Sequence, residues 1–244
     1  MDRNSVDVFT SAARQAGNTI RGDRAVERRS REKCAAKSQA KTTAKIEWLE
    51  LREEAAGCRD CPLGHGTSKT VWGDGQISTA RLMLVGDQPE FREDIAGRPF
   101  VGPAGRLLDR AIGELHWPRD AVYVTHAVKH LSVEIRGQRR RLKTPGDSEV
   151  AACSRWLEAE IRTVAPIAIV ALGRIAASAL LGRPIRAITG RGRWFERSDG
   201  IQVLVTIHPG ALLRSDAVAR ASAYRDWLVD LSQATTLLTP SRAA

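Results

Sequence analysis

No apolar run in the 244-residue chain approaches the roughly 18 residues that suggest a membrane span. The N-terminus also lacks the apolar stretch of a secretory signal. A soluble, cytoplasmic protein is therefore expected, with no membrane partner. Cysteine is scarce at four residues, and a reducing compartment favours thiolate ligands over disulfides. Acid is short as well: 28 Asp and Glu face 38 Lys and Arg, a net charge of +10. That balance draws a chain to polyanions, whether nucleic acid, anionic membrane or acidic protein. Finally, no G-x-G-x-x-G follows the first apolar run, so a dinucleotide fold has no support.

What is present suffices for a core: 43% hydrophobic residues and six Trp. The excess charge is uneven. Residues 1–46 hold eleven Lys/Arg against five Asp/Glu, six of the ten surplus positive charges. Residues 1–45 read as a basic disordered arm, either a nucleic-acid tether or an over-long start. The folded domain is expected over 46–236, opening with a helix in "AKIEWLELREEAAG" and leaving 237–244 as a disordered tail. Four β-branched runs recur: "ARLMLVG" (80–86), "AVYVTHAV" (121–128), "IAIVALG" (167–173) and "IQVLVTIHPG" (201–210). Helical patterns separate them at about 103–115, 147–163, 174–182 and 217–235. Strand alternating with helix predicts a three-layer α/β fold: an open sheet of four parallel strands flanked by helices.

In such sheets function gathers at the carboxyl ends of the strands. Asp87 and Gln88 follow the first run, His126 closes the second, and His208 follows the fourth. Three run ends therefore carry a shared candidate site. "CRDC" supplies Cys58 and Cys61 at metal-ligand spacing, and Cys153 is a third thiol. For the fourth ligand His130, just past the second strand, is a better candidate than Cys34 in the arm. Three Cys and one His suit zinc or an iron–sulfur cluster, and spacing alone favours neither. The run "RGQRRRLKTP" (136–145) holds five cations and no acid, and reads as a loop.

In order, "GDQPEFREDIAGRPFVGPAGRLLDRAI", "YVTHAVKH", "AACSRWLEAEI" and "VTIHPGALLR" resemble the uracil-DNA glycosylase superfamily. The resemblance covers about 47–233 and is nearest to the iron–sulfur family four, in its UdgX-like subgroup, which captures uracil-containing DNA covalently. It implies a 4Fe–4S cluster on Cys58, Cys61, His130 and Cys153, with zinc as the alternative. It implies a partner, uracil-containing DNA, single strands included; a monomer is the default expectation, in the cytoplasm and associated with the nucleoid. It also assigns roles. Asp87, helped by Gln88, would orient water and balance the sugar cation. His208 would donate to the uracil carbonyl as the base leaves. Gly86, Phe100 and His126 would bind the base, Phe100 by stacking. Arg214 and Leu212 or Leu213 would press on the DNA.

Three positions depart from the family pattern. Asp87 stands where glutamate is usual, and His126 where an asparagine reads the base. Leu142 replaces the histidine that bonds to the sugar in UdgX-like proteins. Leucine has no lone pair, so covalent capture by this residue is excluded. The loop's remaining cations, Arg139, Arg140, Arg141 and Lys143, then read as phosphate contacts. Two functions follow: a hydrolytic glycosylase for uracil or a related deaminated base, or a weak or inactive binding protein for such DNA. An electron-carrier role has little behind it.

Overall fold

The computed structural model describes residues 39, 41–66, 69–185, 187–214 and 216–238. Most of the expected arm, Cys34 and all but two residues of the expected tail lie outside them. Contacts divide the chain into Met1–Lys45 and Ile46–Ala244, and the following concerns the second unit. Among the described residues no helix is long and apolar enough to cross a membrane.

Helix α1 (to residue 56 of the helical stretch 41–56) leads into the short α2 (Leu63–Gly66). Strand β1 (Leu82–Gly86) is followed by α3 (Phe91–Ala96) and α4 (Pro103–Glu114), then β2 (Val122–His126). Strands β3 (Val133–Arg136) and β4 (Arg139–Leu142) precede α5 (Asp147–Val164). Next come β5 (Ala168–Leu172), α6 (Arg174–Leu181), α7 (Ala187–Gly190), β6 (Arg193–Glu196) and β7 (Gln202–Thr206). The chain closes with α8 (Pro209–Leu212), α9 (Ala217–Ser232) and α10 (Thr235–Leu238).

The main sheet runs β2-β1-β5-β7-β6. Its first four strands are the four apolar runs, and all pair in parallel. The fifth, β6, is antiparallel to β7 and was not expected. Its sequence, "RWFE", is short and half polar, as an edge strand is, so it lacks the apolar signal of a buried one. The cationic run is also not a loop. It forms a β3–β4 hairpin, with Glu134 opposite Arg141 and Ile135 opposite Arg140. Gly137 at φ 62 supplies the turn between them.

The apolar runs are continuous because both sheet faces are covered. Leu82, Leu84, Val170 and Leu172 face one core with Leu108, Trp227 and Leu231 of α4 and α9. Their neighbours Met83, Val85, Ile169 and Ala171 face the other, with Leu157 and Ile161 of α5 and Ala176 of α6. This is the three-layer arrangement. A third, smaller cluster gathers Ala55, Cys58, Trp72, Cys153 and Trp156.

Candidate active site and cysteine cluster

A cavity of about 260 Å³ opens at the carboxyl ends of the parallel strands, lined by Asp87, Gln88, Glu90, Lys143, His208 and Arg214 among others. A larger one, about 690 Å³, lies beside α1 and Trp72. Size does not choose between them. Only the smaller one joins an acid, a histidine and two cations at the strand ends.

Asp87 sits against the start of α6. Its Oδ1 accepts from the Ala176 backbone N–H at 2.8 Å. Burial pushes its carboxyl above the ordinary value, against the opposing pull of the Ala176 and Ile175 amides. Gly173, the N-cap of α6 at φ 114, makes this approach possible. A Cβ there would stand 2.4–2.6 Å from the Asp87 carboxylate.

His208 caps the single turn α8. Its Nδ1 accepts from the Gly210 backbone N–H at 3.1 Å. That bond needs a lone pair on Nδ1, so a neutral ring carries its proton on Nε2. Burial, then the charges of His126 and Arg214, depress the pKa to about 4 despite the attraction of Glu93. The residue as a whole is only partly buried, but Nε2 is fully covered and has no protein partner. The result is a neutral imidazole with its donor uncommitted.

His126 is 1% exposed, and its Nε2 lies 3.1 Å from Glu93 Oε2. The same carboxylate oxygen accepts from the Glu90 N–H at 2.8 Å, closing the capping box of α3. Burial pushes Glu93 up, but His126 and the amide of Glu90 bring its carboxyl net below the ordinary value. The His126 ring lies on Phe100, with centroids 4.7 Å apart and a 30° tilt. Phe100 is itself in the left-handed region at φ 55, and its ring is nearly parallel to His208 at 6.2 Å. Gly86 leaves room for this stack, since a Cβ there would meet His126 Nδ1 at 2.5 Å.

The hairpin leans over the cavity, with Leu142, Lys143 and Thr144 in its wall. Gln88 fastens it there: its amide donates to Lys143 O at 2.8 Å and accepts from the Ser132 N–H at 3.0 Å. Each end of that amide keeps one further hydrogen-bonding position, so Gln88 ties down the hairpin and still lines the cavity. Arg139, Arg140 and Arg141 are exposed on β4, with Arg140 5.9 Å from the centre of the Phe91 ring. Arg214 is exposed at the cavity rim. Leu212 requires a correction. It is 1% exposed and packed in the core, so it is not available to enter a DNA stack, and Leu213 beside it is the more open of the two.

Cys58, Cys61 and Cys153 are free and buried. Trp156 Nε1 donates to Cys58 Sγ at 3.2 Å, and the Lys129 backbone N–H to Cys153 Sγ at 3.3 Å. Burial raises the Cys153 thiol to about 11. The Lys129 amide and charge oppose this, and Cys61 and Cys58 lie near enough to add to it. His130 is 2% exposed, with Nδ1 buried and unpartnered. Three thiols and one open imidazole nitrogen, all buried, are donors that suit zinc and an iron–sulfur cluster alike. Among the described residues, no group of three or more His, Cys, Asp or Glu side chains is already gathered to hold a metal ion.

Behind these groups lies a buried ion pair that the sequence reading missed. Lys129 is 0% exposed and donates to Glu160 Oε2, to Thr125 Oγ1 at 2.7 Å and to the His126 carbonyl at 2.7 Å. Glu160 also accepts from Tyr123 Oη at 2.9 Å and the Gly73 N–H at 2.8 Å. A signal existed. Glu160 falls on the apolar stripe of α5, in helical step with Cys153, Trp156, Leu157, Ile161 and Val164. Glu93 had no comparable signal, because α3 is too short to show a stripe.

Residues 72–232 match the family described as the uracil DNA glycosylase superfamily. The type-4 uracil-DNA glycosylase of Pyrobaculum aerophilum is 38% identical over 176 residues, 69% of this chain and 86% of that protein. That of Thermotoga maritima is 37% identical, covering 68% of this chain and 82% of its own length. A type-4 enzyme from Sulfurisphaera tokodaii is 36% identical over 67% of this chain and 74% of its own.

Proposed function

The chain belongs to the uracil-DNA glycosylase superfamily and is a uracil-DNA glycosylase, and we propose that it excises uracil from DNA by hydrolysis, without bonding to the sugar. The flipped base would enter the 260 Å³ cavity beneath the hairpin. The observation that carries this reading is the neutral His208 with its uncommitted Nε2–H. As the glycosidic bond breaks, negative charge grows on the uracil carbonyl oxygen. A fixed donor in a covered site stabilises that charge more than it stabilises the ground state. Asp87 shares the cavity wall and would balance the oxocarbenium-like sugar and direct water to it.

Phe100 would stack on the base and His126 would meet its edge. Leu142 stands in the cavity wall and offers no nucleophile, which supports turnover over capture. Arg139, Arg140, Arg141, Lys143 and Arg214 would neutralise the phosphates flanking the flipped nucleotide. Cys58, Cys61, His130 and Cys153 would hold a 4Fe–4S cluster. When bound, such a cluster supplies a cross-link between α1's end, the segment after β2, and α5.

A second reading rests on the stack of His126 on Phe100 at 4.7 Å. If that imidazole keeps the place of the base, the protein binds uracil-containing or single-stranded DNA and hardly turns over. One incubation separates the two. Excess protein is mixed with a labelled single strand carrying one uracil. Half is treated with hot alkali, and half is run on a denaturing protein gel. Alkali cleavage with no shifted protein band is the expected result. A stable shifted band would overturn the hydrolytic reading, and binding without either signal would favour the second one.

A further inference from the structure

We propose that Thr70 is a positioning residue for the metal site, fixing His130 so that it binds iron through Nδ1. The inference rests on the cluster reading above. Thr70 Oγ1 lies 2.8 Å from the Ala55 carbonyl oxygen and 2.9 Å from His130 Nε2. A hydroxyl has one proton and two lone pairs. The Ala55 oxygen can only accept, so the proton goes there. Toward the ring, Thr70 then offers a lone pair, and Nε2 must carry the hydrogen. In a ring whose other nitrogen binds metal, that other nitrogen is Nδ1. It is also the atom left buried and unpartnered.

The backbone sets up this arrangement. The Val71 N–H donates to Lys129 O at 2.8 Å, which brings residue 70 alongside residue 130. The Ala55 carbonyl also accepts from the Cys58 N–H at 3.1 Å. One carbonyl therefore ties the Thr70–His130 pair to the loop that carries Cys58. Ligating histidines generally donate their second N–H to such a partner, and losing the partner weakens metal binding about 10- to 100-fold. A threonine methyl cannot do this, so valine, of the same shape, removes only the hydrogen bond.

The test uses the full chain purified with its iron. Iron per chain is measured, and then the rate at which visible absorption bleaches under a chelator. Thr70→Val should lose iron about 10- to 100-fold faster than wild type, and Thr70→Ser should restore retention. In a His130→Cys background, where no tautomer needs fixing, Thr70→Val should change nothing. An iron-loaded wild type whose loss rate Thr70→Val leaves unaltered overturns the role of Thr70 and leaves the cluster standing. An equal acceleration in the His130→Cys background also overturns it, because Thr70 would then only support the fold. A wild type without iron overturns the cluster reading and this inference together.

Discussion

Replacing Gly173 by alanine should slow excision about 100-fold while leaving DNA affinity near wild type. The Cβ would arrive 2.4 Å from Asp87 Oδ2, whereas ordinary contact is 3.4 Å. The carboxylate must retreat by the difference, about 1 Å, and a displacement of that size in a reacting geometry costs about a hundredfold. The backbone adds a separate cost. Gly173 holds φ 114 and ψ 174, a region nearly closed to side chains, at roughly 1–3 kcal/mol. That is a stability term, and Gly182 at the other end of α6 isolates it. Gly182 also has positive φ, 62, but a Cβ there meets nothing within 4 Å. Gly182→Ala should lower the melting temperature by several degrees and leave kcat unchanged. The assay is single-turnover release of uracil from a single-stranded oligonucleotide, with melting curves and Kd on the same samples. A folded Gly173→Ala protein that excises at the wild-type rate would refute the idea that the position of Asp87 matters to the chemistry.

Leu142→His places an imidazole in the cavity wall and should produce a protein–DNA adduct that survives a denaturing gel; hydrolysis alone would show that the hairpin does not reach the sugar. Changing Arg139, Arg140 and Arg141 together to Ser should flatten the slope of log affinity against log salt by about 2 for single strands, with little effect on the chemical step; an unaltered slope would remove them from the DNA path. Because burial raises Asp87 and its anion is needed, the acidic limb of the excision profile should lie above the ordinary carboxylate pKa of 3.8 and vanish in Asp87→Asn; a limb that survives in the variant belongs to another group. Lys129→Met leaves Glu160 buried without its cation and should cost about 3–5 kcal/mol in urea unfolding; Lys129→Met with Glu160→Gln should recover part of it, and equal losses in both would mean the pair is not coupled.

Much of the fold was legible because it rests on local pattern. A parallel strand covered on both faces must be apolar at every position, and the four runs said so. Helix periodicity between them gave the layers, and the strand-end rule collected Asp87, His126 and His208 at one edge. The family likeness supplied Phe100 and its role, and it favoured an iron–sulfur cluster on four ligands already picked out by spacing and position. Other features have no local signature. Edge strand β6 reads as polar, and the cation run pairs with the segment just before it, Val133–Arg136, where Gly137 turns the chain back.

The sequence by itself determined the order of elements, the absence of a nucleophile at Leu142 and the donor types available for metal. Tertiary structure decided which polar atoms are spent and which are left over. Gln88 is tied to the hairpin and Lys129 to Glu160 thirty-one residues away, while the apolar Leu212 is taken by the core. His208 and His130 keep one ring nitrogen each, because Gly210 and Thr70 claim the other. A residue name states what bonds a side chain can make. Only burial, which removes water as the default partner, decides which of them it must find and which it keeps open.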